Sequence, residues 1–194
     1  GEFMNVFNGH SGPVTCGRFT HDGRHIVSGS EDGSLIIWDP KSATIVHQFS
    51  PKDERFHKGG ITCLAISKDD NVIVTGSIDT TAKLFRTNGQ FISSLENSDH
   101  SVESVGFCDI LPLVATGSSD GSINIWDLTT QRLRQQVRHD DAVTKLAWVK
   151  DSPMLVSVSA DNTVRVWDGR TGGQVQVFKG HQDTILDFSI SRLV

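Results

Sequence analysis

Apolar residues recur along this chain in short runs that lack the spacing of an amphipathic helix. Five histidines are each followed by a six-residue segment with apolar first, fourth and sixth positions, as in "ITCLAI" (61–66) and "VTKLAW" (143–148), with glycine once in the middle place. In four cases a β-branched run comes next, such as "HIVSGS" (25–30) or "VIVTGS" (72–77), with turn residues between the runs. These patterns predict short β-strands joined by tight turns.

The predicted strands belong to a repeat with four marker positions. Its aspartates lie 47, 41 and 41 residues apart, each with an aromatic residue six positions later, a hydroxyl residue four positions earlier and a histidine 20 to 22 positions earlier. The four sets are His10, Ser28, Asp32 and Trp38; His57, Thr75, Asp79 and Phe85; His100, Thr116, Asp120 and Trp126; and His139, Ser157, Asp161 and Trp167. Asp-Gly at 32–33 and 120–121 predicts hairpin turns, because glycine tolerates positive φ. Four strands in roughly 41 residues are typical of a β-propeller blade.

These marks resemble the WD-repeat family, whose signature is Gly-His followed by Trp-Asp. Gly-His stands at 9–10 and 180–181 and Trp-Asp at 38–39, 126–127 and 167–168, whereas the second repeat has Phe-Arg in the Trp-Asp place. The resemblance implies an all-β propeller in which hydroxyl, histidine, aspartate and tryptophan form one buried hydrogen-bonded chain per blade. Serine, histidine and aspartate also suggest a hydrolase triad, but a triad occurs once and needs an exposed nucleophile. Four copies therefore favour structural tetrads.

The repeats predict four complete four-stranded blades with partial strands at both ends, in one partial propeller over residues 4–194. The approximate repeat bounds are 10–50, 57–96, 100–138 and 139–178, with a partial repeat at 181–194, and residues 1–3 match a cloning remnant. Residues 4–8 are expected to form an outer strand of a preceding blade and residues 184–190 the inner strand of a fifth. WD-repeat propellers usually close with seven or eight blades, so the resemblance implies part of a larger, eight-bladed ring. We expect the chain to self-associate through its open blade faces.

Composition narrows the classes of function. The net charge of −5 does not favour a nucleic-acid partner, and no apolar run is long enough for insertion into a membrane. Three cysteines without a CxxC pair fit a reducing compartment. The repeat histidines fall on different blades, each with its own aspartate, so neither a metal site nor a cofactor is expected.

The loops that lead into the inner strands carry an excess of acidic residues. Long loops on a rigid scaffold tend to carry function. The candidate partner-binding rim consists of Glu31, Asp53, Glu54, Asp99, Glu103, Asp140, Asp141 and Asp183. Lysines and arginines dilute this charge, so two interpretations stay open. The loops are ordinary solvated loops, or they form a mildly acidic rim that binds a basic peptide segment of another protein.

Segments outside the general repeat pattern resemble one subfamily more closely. "SVESVGFCDILPLVATG" (101–117), "DLTTQRLRQQ" (127–136) and "GHQDTILDFSIS" (180–191) are similar to the C-terminal half of the angio-associated migratory cell protein family. This resemblance implies a non-enzymatic, mainly cytoplasmic protein-interaction scaffold linked to cell migration and angiogenesis. A more distant fungal member is a dedicated chaperone for a ribosomal protein. The alternative function is therefore a chaperone for a basic ribosomal protein in ribosome assembly.

An enzyme that uses the central channel of the propeller is a third hypothesis. It needs convergent polar side chains on the inner strands, where the chain has Arg18, Ala65, Gly106, Ala147 and Ser189. These residues offer little for catalysis, so no enzymatic activity is expected.

Overall fold

The computed structural model describes residues 5–96 and 99–190 of the chain. Within these ranges the chain forms four antiparallel sheets of four strands, and the strands of each sheet are consecutive in sequence. This architecture confirms the four predicted blades. The predicted cloning remnant at 1–3, the first residue of the segment 4–8 and residues 191–194 of the partial repeat lie outside the described residues.

Each blade runs from an inner strand to an outer strand through three hairpins. Blade 1 comprises β1 (Val14–Phe19), β2 (Ile26–Ser30), β3 (Leu35–Asp39) and β4 (Thr44–Phe49). Blade 2 comprises β5 (Ile61–Ile66), β6 (Val72–Ser77), β7 (Ala82–Arg86) and β8 (Phe91–Leu95). Blade 3 comprises β9 (Val102–Phe107), β10 (Leu113–Ser118), β11 (Ser122–Asp127) and β12 (Arg132–Arg138). Blade 4 comprises β13 (Val143–Trp148), β14 (Met154–Ser159), β15 (Thr163–Asp168) and β16 (Gln174–Lys179).

The turn between the second and third strands of each blade requires a residue in the left-handed region. Gly33 (φ 78°) and Gly121 (φ 89°) meet this requirement in blades 1 and 3, at the predicted Asp-Gly turns. Blades 2 and 4 place Thr80 (φ 72°) and Asn162 (φ 64°) at the same position. Asparagine tolerates this conformation, whereas a β-branched threonine is strained in it. In blade 2 the fold therefore imposes the turn against local preference.

The hydrophobic core lies at the junctions between blades. Among the described residues, three buried clusters fill the three successive junctions. Strand β11 is buried except for Asp127, because blade 3 packs against a neighbouring blade on each of its faces. The cluster between blades 1 and 2 contains Val27, Leu35, Ile37, Phe56, Ile61, Leu64, Ile73 and Phe85.

A β-bulge recurs at the second residue of each described inner strand. The register skips this residue in all four blades, and a bulge changes the direction of its side chain. In blades 1, 2 and 4 the residue is a threonine, whose hydroxyl donates to a main-chain carbonyl farther along the chain. These bonds run from Thr15 to Ile61 at 2.6 Å, from Thr62 to Val102, and from Thr144 to Ile185.

Blade 3 has Glu103 at the bulge, and a carboxylate cannot donate to a carbonyl. Its junction with blade 4 uses other hydrogen bonds. The amide of Leu146 donates to the Ser104 hydroxyl at 3.0 Å, and the Trp148 indole donates to the carbonyl of Gly106 at 3.0 Å. Polar contacts between inner strands therefore join every pair of adjacent described blades.

The terminal segments differ from the sequence-based expectation. The bond from Thr144 to Ile185 repeats the bond from Thr15 to Ile61, so Ile185 lies where the inner strand of a fifth blade would begin. However, residues 5–13 and 180–190 of the described chain form no strand. A strand gains its ladder bonds from a neighbouring strand, and the described residues provide no such partner for either segment. The expected partial strands at 4–8 and 184–190 are therefore not formed within the described residues.

Candidate functional site

The tetrad of blade 4 forms a continuous hydrogen-bonded chain. His139 Nδ1 lies 2.9 Å from Asp161, His139 Nε2 lies 2.7 Å from the Ser157 hydroxyl, and the Trp167 indole donates to the same hydroxyl at 2.8 Å. A carboxylate only accepts, so Nδ1 carries the proton and the hydroxyl donates to Nε2. The Thr163 hydroxyl also donates to Asp161, at 2.6 Å. Ser157 is fully buried and fully bonded, which is unlike an exposed catalytic nucleophile.

In blade 1 the histidine reaches the aspartate through an additional serine. His10 Nδ1 lies 2.6 Å from the Ser34 hydroxyl, which donates to Asp32 at 2.6 Å, while the nitrogen is 3.7 Å from the nearest Asp32 oxygen. His10 Nε2 and the Trp38 indole meet at the Ser28 hydroxyl, at 2.7 and 2.8 Å. The predicted residues are brought together, with one more hydroxyl in the chain.

Blade 2 keeps the histidine contacts but lacks the indole. His57 lies 2.9 Å from Asp79 and 2.8 Å from the Thr75 hydroxyl. Phe85 has no polar hydrogen, so Thr75 receives no donor from the aromatic position. The Thr75 hydroxyl also lies 3.4 Å from the carbonyl of Lys83, where it can only act as a donor. The acceptor capacity of this hydroxyl is therefore used less fully than that of Ser157 in blade 4.

Aromatic packing occupies the space left by the missing indole. Phe85 is 1% exposed, and its ring centroid lies 5.1 Å from that of Phe56 and 4.8 Å from that of Phe49. In blade 1 the position of Phe56 is Gly9, where a Cβ would lie only 2.8 Å from the Trp38 ring. The smaller ring of Phe85 therefore accommodates a large residue before the histidine.

Blade 3 has the most exposed histidine of the four tetrads. His100 precedes its inner strand by two positions, against four in the other blades, which shortens the connection. His100 is exposed, whereas the tetrad histidines of blades 2 and 4 are buried. The Trp126 indole donates to Thr116 at 3.2 Å, a longer contact than the 2.8 Å of blades 1 and 4.

Burial controls the charge state of the tetrads. It lowers the pKa of His57 and of His139 below the ordinary histidine value, so both are neutral at pH 7. Burial alone would raise the pKa of Asp161, but hydrogen bonds from Thr163, the Asp140 amide and His139 hold that pKa well below its usual range. These groups keep fixed protonation states around pH 7, as expected of structural hydrogen bonds.

The candidate rim residues lie on loops at one end of the blades. In each blade, the residue before the tetrad aspartate donates its amide to the loop that leads into the inner strand. The pairs are Glu31 with Pro13, Ile78 with Gly60, Ser119 with Ser101, and Ala160 with Ala142. The structure therefore brings the loops before the inner strands and the turns with the tetrad aspartates to one face of the blades, which we call the rim.

The rim carboxylates differ in their availability to a partner. Asp53 pairs with Arg55 at 2.8 Å, a bond that lowers the pKa of Asp53 to about 2, and Asp140 pairs with Arg165 at 2.8 Å. Glu103 is half-buried and accepts from the Ser101 hydroxyl. The rim carboxylates that are exposed and outside any ion pair with described residues are Glu31, Glu54, Asp99, Asp141 and Asp183.

One rim residue was not identified from the sequence. Ile78 is 59% exposed, at the turn position that Glu31 holds in blade 1. The sequence feature that could have identified Ile78 is an isoleucine among polar turn residues. Ile78 and Glu31 border a cavity of about 450 Å³ between blades 1 and 2. A separate cavity of about 570 Å³ is lined in part by Glu96, Asp99 and Asp120.

Two kinds of feature, a metal-binding cluster and a membrane-spanning helix, are absent from the described part of the chain. Residues 5–96 and 99–190 hold no group of three or more histidine, cysteine, aspartate or glutamate side chains that could bind a metal ion. The same ranges include no helix long and apolar enough to cross a membrane. Of the candidate channel positions, Arg18 is exposed and donates to the carbonyl of Gly17.

Comparison with known families and proteins gives a consistent result. The profile of the WD40 family, "WD domain, G-beta repeat", matches residues 1–39, 49–86, 89–127 and 131–168. The chain is 38% identical over 126 residues to human angio-associated migratory cell protein, covering 57% of this chain and 29% of that protein. It is 30% identical over 124 residues to an uncharacterized WD repeat-containing protein of Schizosaccharomyces pombe, covering 59% and 31%. The matched region thus spans less than a third of these curated relatives.

Solved structures show the same fold. Sqt1 of Chaetomium thermophilum bound to the N-terminus of the ribosomal protein L10 matches with a TM-score of 0.85 and 31% identity, over 93% of this chain and 54% of that one. Sqt1 alone matches with a TM-score of 0.86 and 29% identity, over 93% and 53%. With four matched repeats and four four-stranded blades, the chain belongs to the WD40 family of β-propeller proteins.

Proposed function

We propose that this chain is a non-enzymatic protein-interaction module that binds a basic peptide segment on its rim. The observation that carries the proposal is the set of exposed rim carboxylates, including Glu31, Glu54, Asp141 and Asp183, outside ion pairs with described residues. Exposed charge of one sign attracts a partner of the opposite sign and steers its approach. The structure of Sqt1 with the N-terminus of L10 supports a peptide as the partner class.

Two cellular roles suit such a module. Similarity to human angio-associated migratory cell protein supports, as the first candidate, a scaffold in cell migration and angiogenesis. Likeness to Sqt1 bound to the N-terminus of L10 supports, as the second, a chaperone for a basic ribosomal protein. We place both roles in the cytoplasm. Crosslinking in cells, followed by identification of the captured proteins, separates cytoskeletal or signalling partners from a ribosomal client.

Fluorescence anisotropy with an N-terminal peptide of ribosomal protein L10 tests the binding mode. A matched peptide with every lysine and arginine replaced by glutamine is the control. We expect the basic peptide to bind more tightly, and its affinity to fall as salt rises from about 50 mM to about 500 mM, because screening weakens exposed charge pairs. Equal binding of both peptides, or an affinity that is independent of salt, contradicts a charge-led mode.

We also propose that the chain self-associates through the open faces of blades 1 and 4. Val14 and Phe19 of blade 1 are 59% and 63% exposed, and Phe178 of blade 4 is 53% exposed. Each described junction joins the outgoing face of one blade to the incoming face of the next, so blade 4 of one copy suits blade 1 of another. Two copies arranged in this way close an eight-bladed ring. Light scattering that shows a 21.2 kDa monomer at all concentrations contradicts this proposal.

A further inference from the structure

We propose that the cavity between blades 1 and 2 holds an aliphatic side chain of the bound peptide, while Glu31 pairs with a lysine or arginine beside it. This inference rests on the proposed function and adds the anchor residue type and its place on the rim. The cavity measures about 450 Å³ and is lined by Thr15, Glu31, Gly60, Ile61, Thr62 and Ile78. Its volume falls within the range of ligand pockets, about 300–1,000 Å³.

The lining of this cavity is mainly hydrocarbon. The hydroxyl hydrogens of Thr15 and Thr62 are already donated to the carbonyls of Ile61 and Val102. A hydroxyl has one hydrogen, so neither threonine retains a donor for a ligand. Ile78 is 59% exposed and offers an accessible apolar side chain, whereas Ile61 is 1% exposed and belongs to the buried cluster between the two blades. An aliphatic group gains most by leaving water for such a lining.

Glu31 supplies the charge at the edge of the cavity. It is exposed and forms no ion pair with the other described residues. Lys58, two residues before Gly60, donates to the carbonyls of Pro51 and Asp53 at 2.9 and 3.1 Å. The Glu31 carboxylate therefore remains available for a cation on the ligand, and charge-assisted hydrogen bonds are the stronger kind.

Close packing of main chain holds the two sides of the cavity together. A Cβ on Gly60 would lie 3.0 Å from the carbonyl oxygen and 3.1 Å from the Cα of Glu31. Glycine at position 60 thus allows the turn of blade 1 to contact the loop of blade 2. Because these contacts are made by main chain, the spacing between Glu31 and Ile78 is pre-organised for a ligand.

The other described junctions lack this combination of residues. The corresponding turn positions are Glu31, Ile78, Ser119 and Ala160 in blades 1 to 4. Adjacent blades therefore combine Glu31 with Ile78, Ile78 with Ser119, and Ser119 with Ala160. An acidic residue paired with an aliphatic one occurs at the first of these junctions. The expected ligand is therefore a segment with an aliphatic residue flanked by basic ones.

Three short peptides test this assignment by nuclear magnetic resonance. The peptide Gly-Ser-Lys-Leu-Lys-Ser-Gly carries both features, the second has serine for leucine, and the third has glutamine for both lysines. Each peptide is titrated into the ¹⁵N-labelled chain. We expect saturable shifts of the Glu31, Gly60, Thr62 and Ile78 amides with the first peptide. The serine peptide should bind about tenfold more weakly, because it buries no aliphatic side chain.

Two variants and a matched control locate the contacts. Ile78→Ser should weaken the leucine peptide about tenfold and leave the serine peptide unchanged. Glu31→Gln should weaken both lysine peptides about threefold to tenfold and reduce the advantage of the leucine peptide over the glutamine peptide. Ala160→Ser changes the same turn position in blade 4 and should leave every affinity unchanged. Ile78 is exposed, so an unchanged melting temperature verifies that its variant is folded.

The outcomes separate this inference from the proposed function. Equal affinity for the leucine and serine peptides, or an unaffected Ile78→Ser variant, overturns the aliphatic anchor. The acidic rim stands in that case if the lysine peptides still bind more tightly than the glutamine peptide. Absence of binding by any lysine peptide at low salt overturns both proposals. If the amide signals of the cavity residues shift when only the protein concentration is raised, a second copy of the chain occupies the cavity. That result also overturns the inference.

Discussion

Replacement of Trp167 by phenylalanine should destabilise blade 4, although blade 2 carries phenylalanine naturally. The change removes the donor that lies 2.8 Å from the Ser157 hydroxyl, and Ser157 is 0% exposed. A buried acceptor left without its donor costs about 1–3 kcal/mol. The smaller ring also buries about 50 Å² less apolar surface, which costs about 1 kcal/mol at 25 cal/mol per Å². The free energy of unfolding should therefore fall by about 2–4 kcal/mol.

Urea unfolding followed by far-UV circular dichroism measures this loss, and a double-mutant cycle with Ser157→Ala identifies its source. In the alanine background Trp167→Phe leaves no hydroxyl unpaired, and it also removes an indole donor that has lost its acceptor, so it should cost no more than about 1 kcal/mol. The perturbation of His139 by Ser157→Ala is present in both alanine proteins and cancels in the cycle. If Trp167→Phe costs the same in both backgrounds, the hydrogen bond is not the source of the loss and the reasoning is refuted.

Three further predictions concern stability. Thr80→Gly removes the strain of a β-branched residue at φ 72° and should raise the free energy of unfolding, measured by urea titration, by about 1 kcal/mol. Asn162→Gly is the control and should change the free energy of unfolding little. Equal effects of the two substitutions would contradict strain at Thr80. Burial lowers the pKa of His57 and His139 in the folded state, so the unfolded chain binds more protons below about pH 6.5. The urea concentration at the unfolding midpoint should therefore fall when the pH is lowered from about 7 to about 5. A midpoint that does not change over this pH range would count against this linkage. Thr15→Val keeps the side-chain shape but removes the bond to blade 2, and should cost about 1 kcal/mol by the same assay; an unchanged midpoint would mean that this bond contributes no stability.

The four blades could be predicted from the sequence because each feature that identifies a blade depends on residues within the same repeat. Strand patterning, turn residues and tetrad residues recur at one spacing, so each repeat supports the assignment of the others. Gly33 and Gly121 are at positive φ as the Asp-Gly pairs predicted. The sequence did not indicate that Thr80 adopts the same conformation, because there the surrounding blade overrides the local preference.

The parts that could not be predicted depend on side-chain conformation or on contacts distant in sequence. The Ser34 hydroxyl lies between His10 and Asp32 because of the rotamers these residues adopt. The facing positions of Glu31 and Ile78 arise from the docking of two blades, and no pattern within one repeat contains that information. The rim was predicted as a set of loops, but which of its acids are paired with arginines required the structure.

The threonine bulges also affect how such a protein can change over evolution. Each hydroxyl bonds to a main-chain carbonyl and so requires no particular side chain at the acceptor position. A duplicated repeat that carries the bulge threonine brings its own hydroxyl and its own acceptor carbonyl, so these hydrogen bonds need no compensating substitution in the neighbouring blades. Blade number can therefore change in a single event, and the exposed turns can acquire new ligand preferences afterwards, independently of the size of the ring.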